Sequence, residues 1–219
     1  VVKVERKINQ HRYDGVAVVA SNYWAAVKGR KALKIKWDHQ GKETFNSKDY
    51  EQYLRDLAKK DGVTDLEQGT FDAVFEHAPT KLEAFYETPV VSHSPMEPMN
   101  CVAHWQAADK KLEIWASTQV PGSLKNELPT EFGLTEDQVT VHTLFNGGGF
   151  GRRLYTDFVS EAVHISKAVG RPVKCIWSRE DDTQQGPFRP MTFSALRGAL
   201  SATGRAVAFA MDDILLFGL

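Results

Sequence analysis

A chain of 219 residues with 42% hydrophobic, 11% aromatic and 25% charged side chains has the make-up of a soluble globular protein of one large or two small domains. Its formal net charge of −1 gives no electrostatic reason for a nucleic-acid or anionic-membrane partner. Apolar runs such as Val16–Ala20 fall far short of the ~20 residues that cross a bilayer.

In chain order, the first 80 or so residues read as strand, strand, helix, strand, loop, helix, strand. VVKVERKI opens the chain as if in mid-strand, with no targeting segment. Val16–Ala20, between Asp14-Gly15 and Ser21-Asn22, predicts a buried strand. Ser21 or Asn22 caps a helix to about Ala32, in which Trp24, Ala25, Val27 and Ala32 sit among basic residues. LKIKW, Leu33–Trp37, alternates as a half-exposed strand does. Ser47 starts a helix with apolar positions Tyr50, Tyr53, Leu54, Leu57 and Ala58, stopped by Gly62.

Beyond about Ala84 the pattern turns strand-rich. Strands are predicted in FYETPVVSH, CVAHWQAA and LEIWAST, with a turn at Asp109-Lys110. Pro121 and Gly133 bracket a helix. A strand Val139–Phe145 leads into FNGGGFGRRL, and a helix spans about Asp157–Val169. PVKCIW, a polar turn, FRPMTFSALRGAL and AVAFAMDDILL complete the chain, which ends in ILLFGL as if cut from a longer one. The expected class is α+β, with a boundary near residue 80 dividing 1–80 from 81–219.

Phe145–Leu154 carries the strongest chemical signal. A glycine-rich stretch between a strand and a helix is where backbone N–H groups converge on an anion, and Arg152 and Arg153 add forked cations suited to phosphate. A tight turn needing glycine only for geometry is the plainer alternative. Three consecutive glycines and a fourth after Phe150 exceed what one turn needs. A dinucleotide GxGxxG read from Gly147 would require glycine where Arg152 stands, and no GK[ST] follows a P-loop spacing.

Cys101 and Cys175 lie far apart, outside any CxxC or Cys/His cluster, and read as small buried hydrophobes. No metal ligands are expected from the protein itself. His93, Glu97 and Asn100 form a polar cluster in HSPMEPMN, where Pro95 and Pro98 preclude a helix presenting His93 and Glu97 on one face. An ordered loop is expected there. Glu180, Asp181 and Asp182 after Arg179 read as a solvated turn or a helix start, with Arg179 paired to one of them.

GGGFGRR, preceded by STQVP at Ser117–Pro121, resembles the large subunits of the molybdenum hydroxylases, the xanthine dehydrogenase and aldehyde oxidase family. HSPMEPMN, WAAVKGRKALKIKWD and WSREDD narrow the likeness to the isoquinoline 1-oxidoreductase beta subunit type and its bacterial relatives. The resemblance implies a partial α/β hammerhead domain over 1–80 and the first part of a mixed α+β molybdopterin-binding domain over 81–219. It implies a molybdopterin cofactor, in the cytosine dinucleotide form, whose own sulfurs ligate the metal. By likeness, Gln119 hydrogen-bonds the metal's oxo group, and Gly148, Gly149, Phe150, Gly151 and Arg152 form the cofactor cradle. On residue chemistry alone, Gln119 reads equally as a strand-end side chain satisfying local backbone.

The resemblance also implies a catalytic glutamate in a later glycine-rich motif. The last glutamate here is Glu180, which places that residue beyond Leu219 and leaves these 219 residues alone inactive and without cofactor. Where the purine-oxidising branch carries glutamate after the loop, Leu154 stands. That suits an apolar N-heterocycle, hydroxylated with oxygen from water, or an aldehyde. Electrons would leave through a separate small [2Fe–2S] alpha subunit. A non-catalytic anion-binding or assembly module using the same loop is the alternative of another class.

Overall fold

The computed structural model describes residues 1–8, 11–39 and 41–215. In chain order they form β1 (Val2–Ile8), β2 (His11–Ala17), α1 (Tyr23–Ala32), α2 (Ser47–Leu57), α3 (Phe71–His77), β3 (Thr80–Thr88), β4 (Asn100–Gln106), β5 (Lys111–Ala116), α4 (Pro121–Phe132), β6 (Val139–Thr143), α5 (Asp157–Val169), β7 (Val173–Ile176), α6 (Arg179–Gln185), β8 (Thr192–Leu200) and β9 (Ala206–Leu215). Single 3₁₀ turns occupy Lys42–Thr44, Glu136–Gln138 and Arg152–Leu154. The class is α+β, as the sequence indicates. Leu216 of the last predicted strand lies outside the described residues.

Two compact units emerge, each from two segments: Val1–Lys36 with Ser92–Phe188, and Trp37–Val91 with Arg189–Leu219. The chain therefore changes unit three times, whereas the sequence suggested one boundary near residue 80. Long-range strand and helix packing makes the difference. In the first unit β1 packs on α5, and in the second β3 pairs with β8.

The first unit is built on a four-stranded mixed sheet of order β6-β5-β4-β7, with β5–β6 parallel and the other pairs antiparallel. Along β5 every second residue is buried, Leu112, Ile114 and Ala116, so one face of the pleat feeds the core. Leu124 and Leu128 of α4 and Phe158, Ala162 and Val163 of α5 close that face. Pro121 at its first turn and Gly133, at φ 70°, delimit α4; Gly170, at φ 64°, ends α5. The β1–β2 hairpin buries Val4 and Ile8, and Trp177 donates to Glu161 of α5 at 2.6 Å. Cys101 and Cys175 face each other across β4 and β7 as free thiols whose pKa values burial pushes up.

The second unit holds an antiparallel sheet of order β3-β8-β9. Its core cluster joins Leu54 of α2 to Met191 and Phe193, and Arg55 lies 5.0 Å from the Phe193 ring centroid. On the same face Arg197 lies over Phe71 of α3. The register places Leu82, Gly198 and Phe209 in one row and Leu196 and Met211 in the next, on the opposite face. There Leu82, Tyr86, Phe209 and Met211 are 51–65% exposed.

Three local expectations change. Val16–Ala20 is no buried strand: β2 ends at Ala17, and Val19 and Ala20 are exposed because the hairpin has no third strand beside it. Leu33–Trp37 takes no strand conformation, since alternation alone supplies no ladder partner. The polar turn after PVKCIW is α6, started by a capping box between Ser178 and Asp181.

Candidate functional site

The glycine loop leaves the C-terminal end of β6 and enters α5, within the first unit. Its backbone departs from ordinary regions at Gly148 (φ 95°), Phe150 (φ 53°) and Gly151 (φ 93°). Glycine relieves this strain at two of the three, and Phe150 bears it, its ring 62% exposed. The Phe150 ring folds back so that a Cβ on Gly148 would lie 2.9 Å from it.

Each remaining glycine has a particular neighbour. A Cβ at Gly147 would lie 2.6 Å from the Cβ of Glu97, and one at Gly149 would lie 2.7 Å from the Cδ of Gln119. The side chain excluded at Gly149 is therefore excluded by Gln119, whose carboxamide lies against the loop.

Gln119 Oε1 accepts from the N–H groups of Gly151 (3.2 Å) and Arg153 (3.3 Å). With the carbonyl end pinned to the loop, the NH2 end is the free donor, and it has no acceptor among the described residues. Gln119 N–H in turn donates to Arg153 C=O at 3.1 Å. The carbonyl end thus satisfies local backbone, as the strand-end reading expects, and leaves the NH2 end uncommitted among the described residues. The N–H groups of Gly148 and Gly149 likewise have no acceptor among the described residues. The loop thus carries two adjacent main-chain N–H groups and, beside them, an amide NH2 that have no acceptors among the described residues.

The two arginines do something else. Arg152 and Arg153 are buried, at 1% and 0% exposure. Arg152 makes a bidentate pair with Asp157 at 2.7 and 2.9 Å and lies 5.3 Å from the Trp177 ring centroid. Arg153 donates to Gly148 C=O, Ser117 C=O, Glu97 C=O and the Glu97 carboxylate. Neither guanidinium faces outward for an anion, contrary to the sequence expectation. A buried Asp157 and a set of inward-facing carbonyls are better partners for an unhydrated cation than an exposed ligand. Arg152 thus belongs to the foundation of the loop: its side chain is held by Asp157 and its main-chain N–H donates to Gly149 C=O at 2.8 Å.

HSPMEPMN is an ordered loop without a helix. Glu97 and Asn100 meet at 2.9 Å, and His93 Nδ1 sits 3.2 Å from Pro187 C=O. Burial alone would raise the Glu97 pKa. Hydrogen bonds from Asn100 and the Gly147 N–H, with the Arg153 charge, outweigh it and hold the carboxyl below its ordinary value. Arg179 pairs with Asp182 at 2.8 Å and also holds Pro95 C=O and Met96 C=O. Successive carbonyls of residues 95–97 are thus taken by two arginines. The pairing of Arg179 with one of its following acidic residues was expected from the sequence; its hold on the two carbonyls was not. Among the described residues no three His, Cys, Asp or Glu side chains are grouped to hold a metal ion, and no helix is long and apolar enough to cross a membrane.

A family model of the molybdopterin cofactor-binding domain matches residues 54–218. The isoquinoline 1-oxidoreductase subunit beta of Brevundimonas diminuta is 34% identical over 184 residues, covering 80% of this chain and 23% of the relative. The aldehyde oxidoreductase molybdenum-binding subunit of Escherichia coli K12 is 27% identical over 206 residues, covering 93% of this chain and 28% of the relative. In fold, the chain resembles the crystal structure of quinoline 2-oxidoreductase from Pseudomonas putida 86, with a TM-score of 0.60 at 22% identity over 66% of this chain and 18% of that one. The chain spans about a quarter of the length of the curated relatives it matches.

Proposed function

The chain belongs to the molybdopterin cofactor-binding domain family, and from that premise we propose that it forms part of the cofactor-binding subunit of an oxidoreductase that hydroxylates an N-heterocyclic aromatic carbon. One observation carries the reading: the Gly148 and Gly149 N–H groups and the Gln119 amide NH2 converge on the same loop with no acceptors of their own among the described residues. They fit a ligand rich in oxo and phosphate oxygens, as molybdopterin is. When bound, that cofactor would supply a redox centre able to take up the two electrons released when a C–H bond becomes C–OH with oxygen from water.

The residues of this chain would act as follows. Gln119 would orient the bound group through a neutral hydrogen bond that adds no charge. The Gly148 and Gly149 amides would hold negative oxygens by dipoles already fixed before binding. Leu154 and Phe145, both exposed beside the loop, would favour a flat apolar substrate over one carrying many polar groups. The cytosine dinucleotide form of the cofactor and a separate [2Fe–2S] subunit belong to the same proposal. A second reading, aldehyde oxidation, draws on the activity named for the Escherichia coli relative.

The test uses the intact subunit assembled with its partners. Molybdenum is expected in near-stoichiometric amount, with CMP released on hydrolysis of the cofactor's pyrophosphate. Gln119→Ala is expected to lower kcat about tenfold or more, for ~1–2 kcal/mol of lost transition-state stabilisation, with molybdenum content retained. Unchanged kcat and kcat/KM would reduce Gln119 to a loop prop. Comparing kcat/KM for isoquinoline and for benzaldehyde decides between the two substrate classes.

A further inference from the structure

The functional reading leaves Glu97 and Arg153 without a part, and the geometry supplies one. The Arg153 guanidinium spends Nε on Gly148 C=O (2.8 Å), Nη1 on Ser117 C=O (3.1 Å) and Nη2 on Glu97 C=O (2.9 Å) and Glu97 Oε2 (3.0 Å). Its main-chain N–H holds Gln119 Oε1. Glu97 Oε2 also accepts from Gly147 N–H at 2.8 Å, and Glu97 Oε1 accepts from Asn100 at 2.9 Å.

The Gly148 carbonyl and the Gly149 N–H belong to one peptide unit, and in a trans peptide the two point in opposite directions. Holding that carbonyl on a buried guanidinium therefore turns the Gly149 N–H away from the protein interior. The neighbouring Gly147 N–H is fixed by Glu97, so the glycine chain is anchored on both sides of Gly148. The same carboxylate is the negative partner of Arg153, whose side chain is fully buried.

We propose that Arg153 and Glu97 are positioning residues for the cofactor loop: the guanidinium aims the Gly149 N–H outward, the Arg153 main-chain N–H holds the carbonyl end of the Gln119 amide, and the carboxylate both anchors Gly147 and neutralises the buried cation beneath the site. The inference rests on the molybdopterin reading above. It gives Glu97 no acid or base role. A lysine cannot replace Arg153, because one ammonium group cannot serve carbonyls from three segments in fixed directions.

The experiment is Glu97→Gln in the intact subunit, with three measurements: molybdenum per subunit, the melting temperature of the apo-protein and the midpoint potential of the bound centre in a redox titration. Glutamine preserves the size of the side chain and an acceptor for Gly147, but leaves the Arg153 charge uncompensated near the site. The expected result is a midpoint shifted to higher potential and a several-fold fall in molybdenum content, with apo melting changed little. Molybdenum content and melting falling together, with the potential of the loaded fraction unmoved, would overturn the inference and leave a purely structural pair. Should Glu97→Gln not fold, Asn100→Ala removes only the bond to Glu97 Oε1 and a bond to Pro98 C=O. It is expected to lower molybdenum content before it lowers apo melting, and the reverse order overturns the inference. A wild-type subunit that takes up no molybdenum overturns the functional reading and this inference with it. A wild-type that loads while Glu97→Gln matches it in all three measurements overturns this inference alone.

Discussion

The two units treat their sheets differently. In the first, α4, α5 and the β1–β2 hairpin help bury the core, and even two arginines are enclosed, Arg152 paired with Asp157 and Arg153 with Glu97. In the second, the helices cover one face over Leu54, Met191 and Phe193, while Leu82, Tyr86, Phe209 and Met211 stand open on the other. The candidate loop belongs to the unit that supplies its own packing. Its donors are held from beneath by buried charges, which is what a site needs if its geometry is to exist before the ligand arrives. The second unit carries an apolar sheet face of the kind that proteins seldom leave bare.

The largest effect expected on this contrast comes from Asp157→Ala. It strands the Arg152 cation in the first unit's core and should cost about 3–5 kcal/mol, read as a lowered denaturant midpoint. Arg55→Ala in the second unit, whose partners Glu51 and Glu87 are part-exposed, should lower the midpoint far less. Equal losses would erase the distinction. Gly149→Ala, where φ is not positive, forces Gln119 off the loop and should cost about 1–3 kcal/mol of apo stability while reducing cofactor loading more severely. A variant that melts early but loads normally would return the glycine to mere turn geometry.

Smaller still is the acid response of Glu131. Burial raises its pKa, but hydrogen bonds from His164 and Ser160 prevail and hold it below the ordinary carboxylate value. Because the folded value is depressed, the stabilisation is complete above the unfolded value and fades as pH falls through the folded one. Glu131→Gln should therefore flatten the first unit's loss of stability below about pH 4.5, measured by melting between about pH 3 and pH 7. Smallest of all, Phe209→Ser on the open face should change stability by no more than about 0.5 kcal/mol. A loss of several kcal/mol there would mean that the face is covered in solution, and would sharpen the contrast into a docking surface.

Much of the first unit was legible in the sequence, because its signals were local. Pro121 and Gly133 set the ends of α4, the alternation of LEIWAST predicts one buried face, and the glycine run marks the loop. LKIKW misled because a strand exists only beside a partner, and its alternation names none. The helix at Phe71–His77 went unpredicted: it is short, and its N-cap Thr70 makes no side-chain capping bond. Within the site, Gln119 and the glycines could be identified from the chain. The inward turn of Arg152 and Arg153 could not, because their partners Asp157, Ser117 and Glu97 lie 5, 36 and 56 residues away. The Ser178–Asp181 capping box was a sequence signal for α6 that could have been read.

The interleaving of the two units has a consequence for synthesis. β1 leaves the ribosome well before α5, its packing partner, which follows about 150 residues later. At roughly 5–20 residues per second the hairpin waits on the order of ten to thirty seconds before it can bury Val4 and Ile8. The helix α2 waits comparably long for β8 and Phe193. Neither unit can close before the other has been largely made, so the nascent chain exposes both incomplete cores at once, and holding factors at the exit tunnel would find their longest window on this stretch.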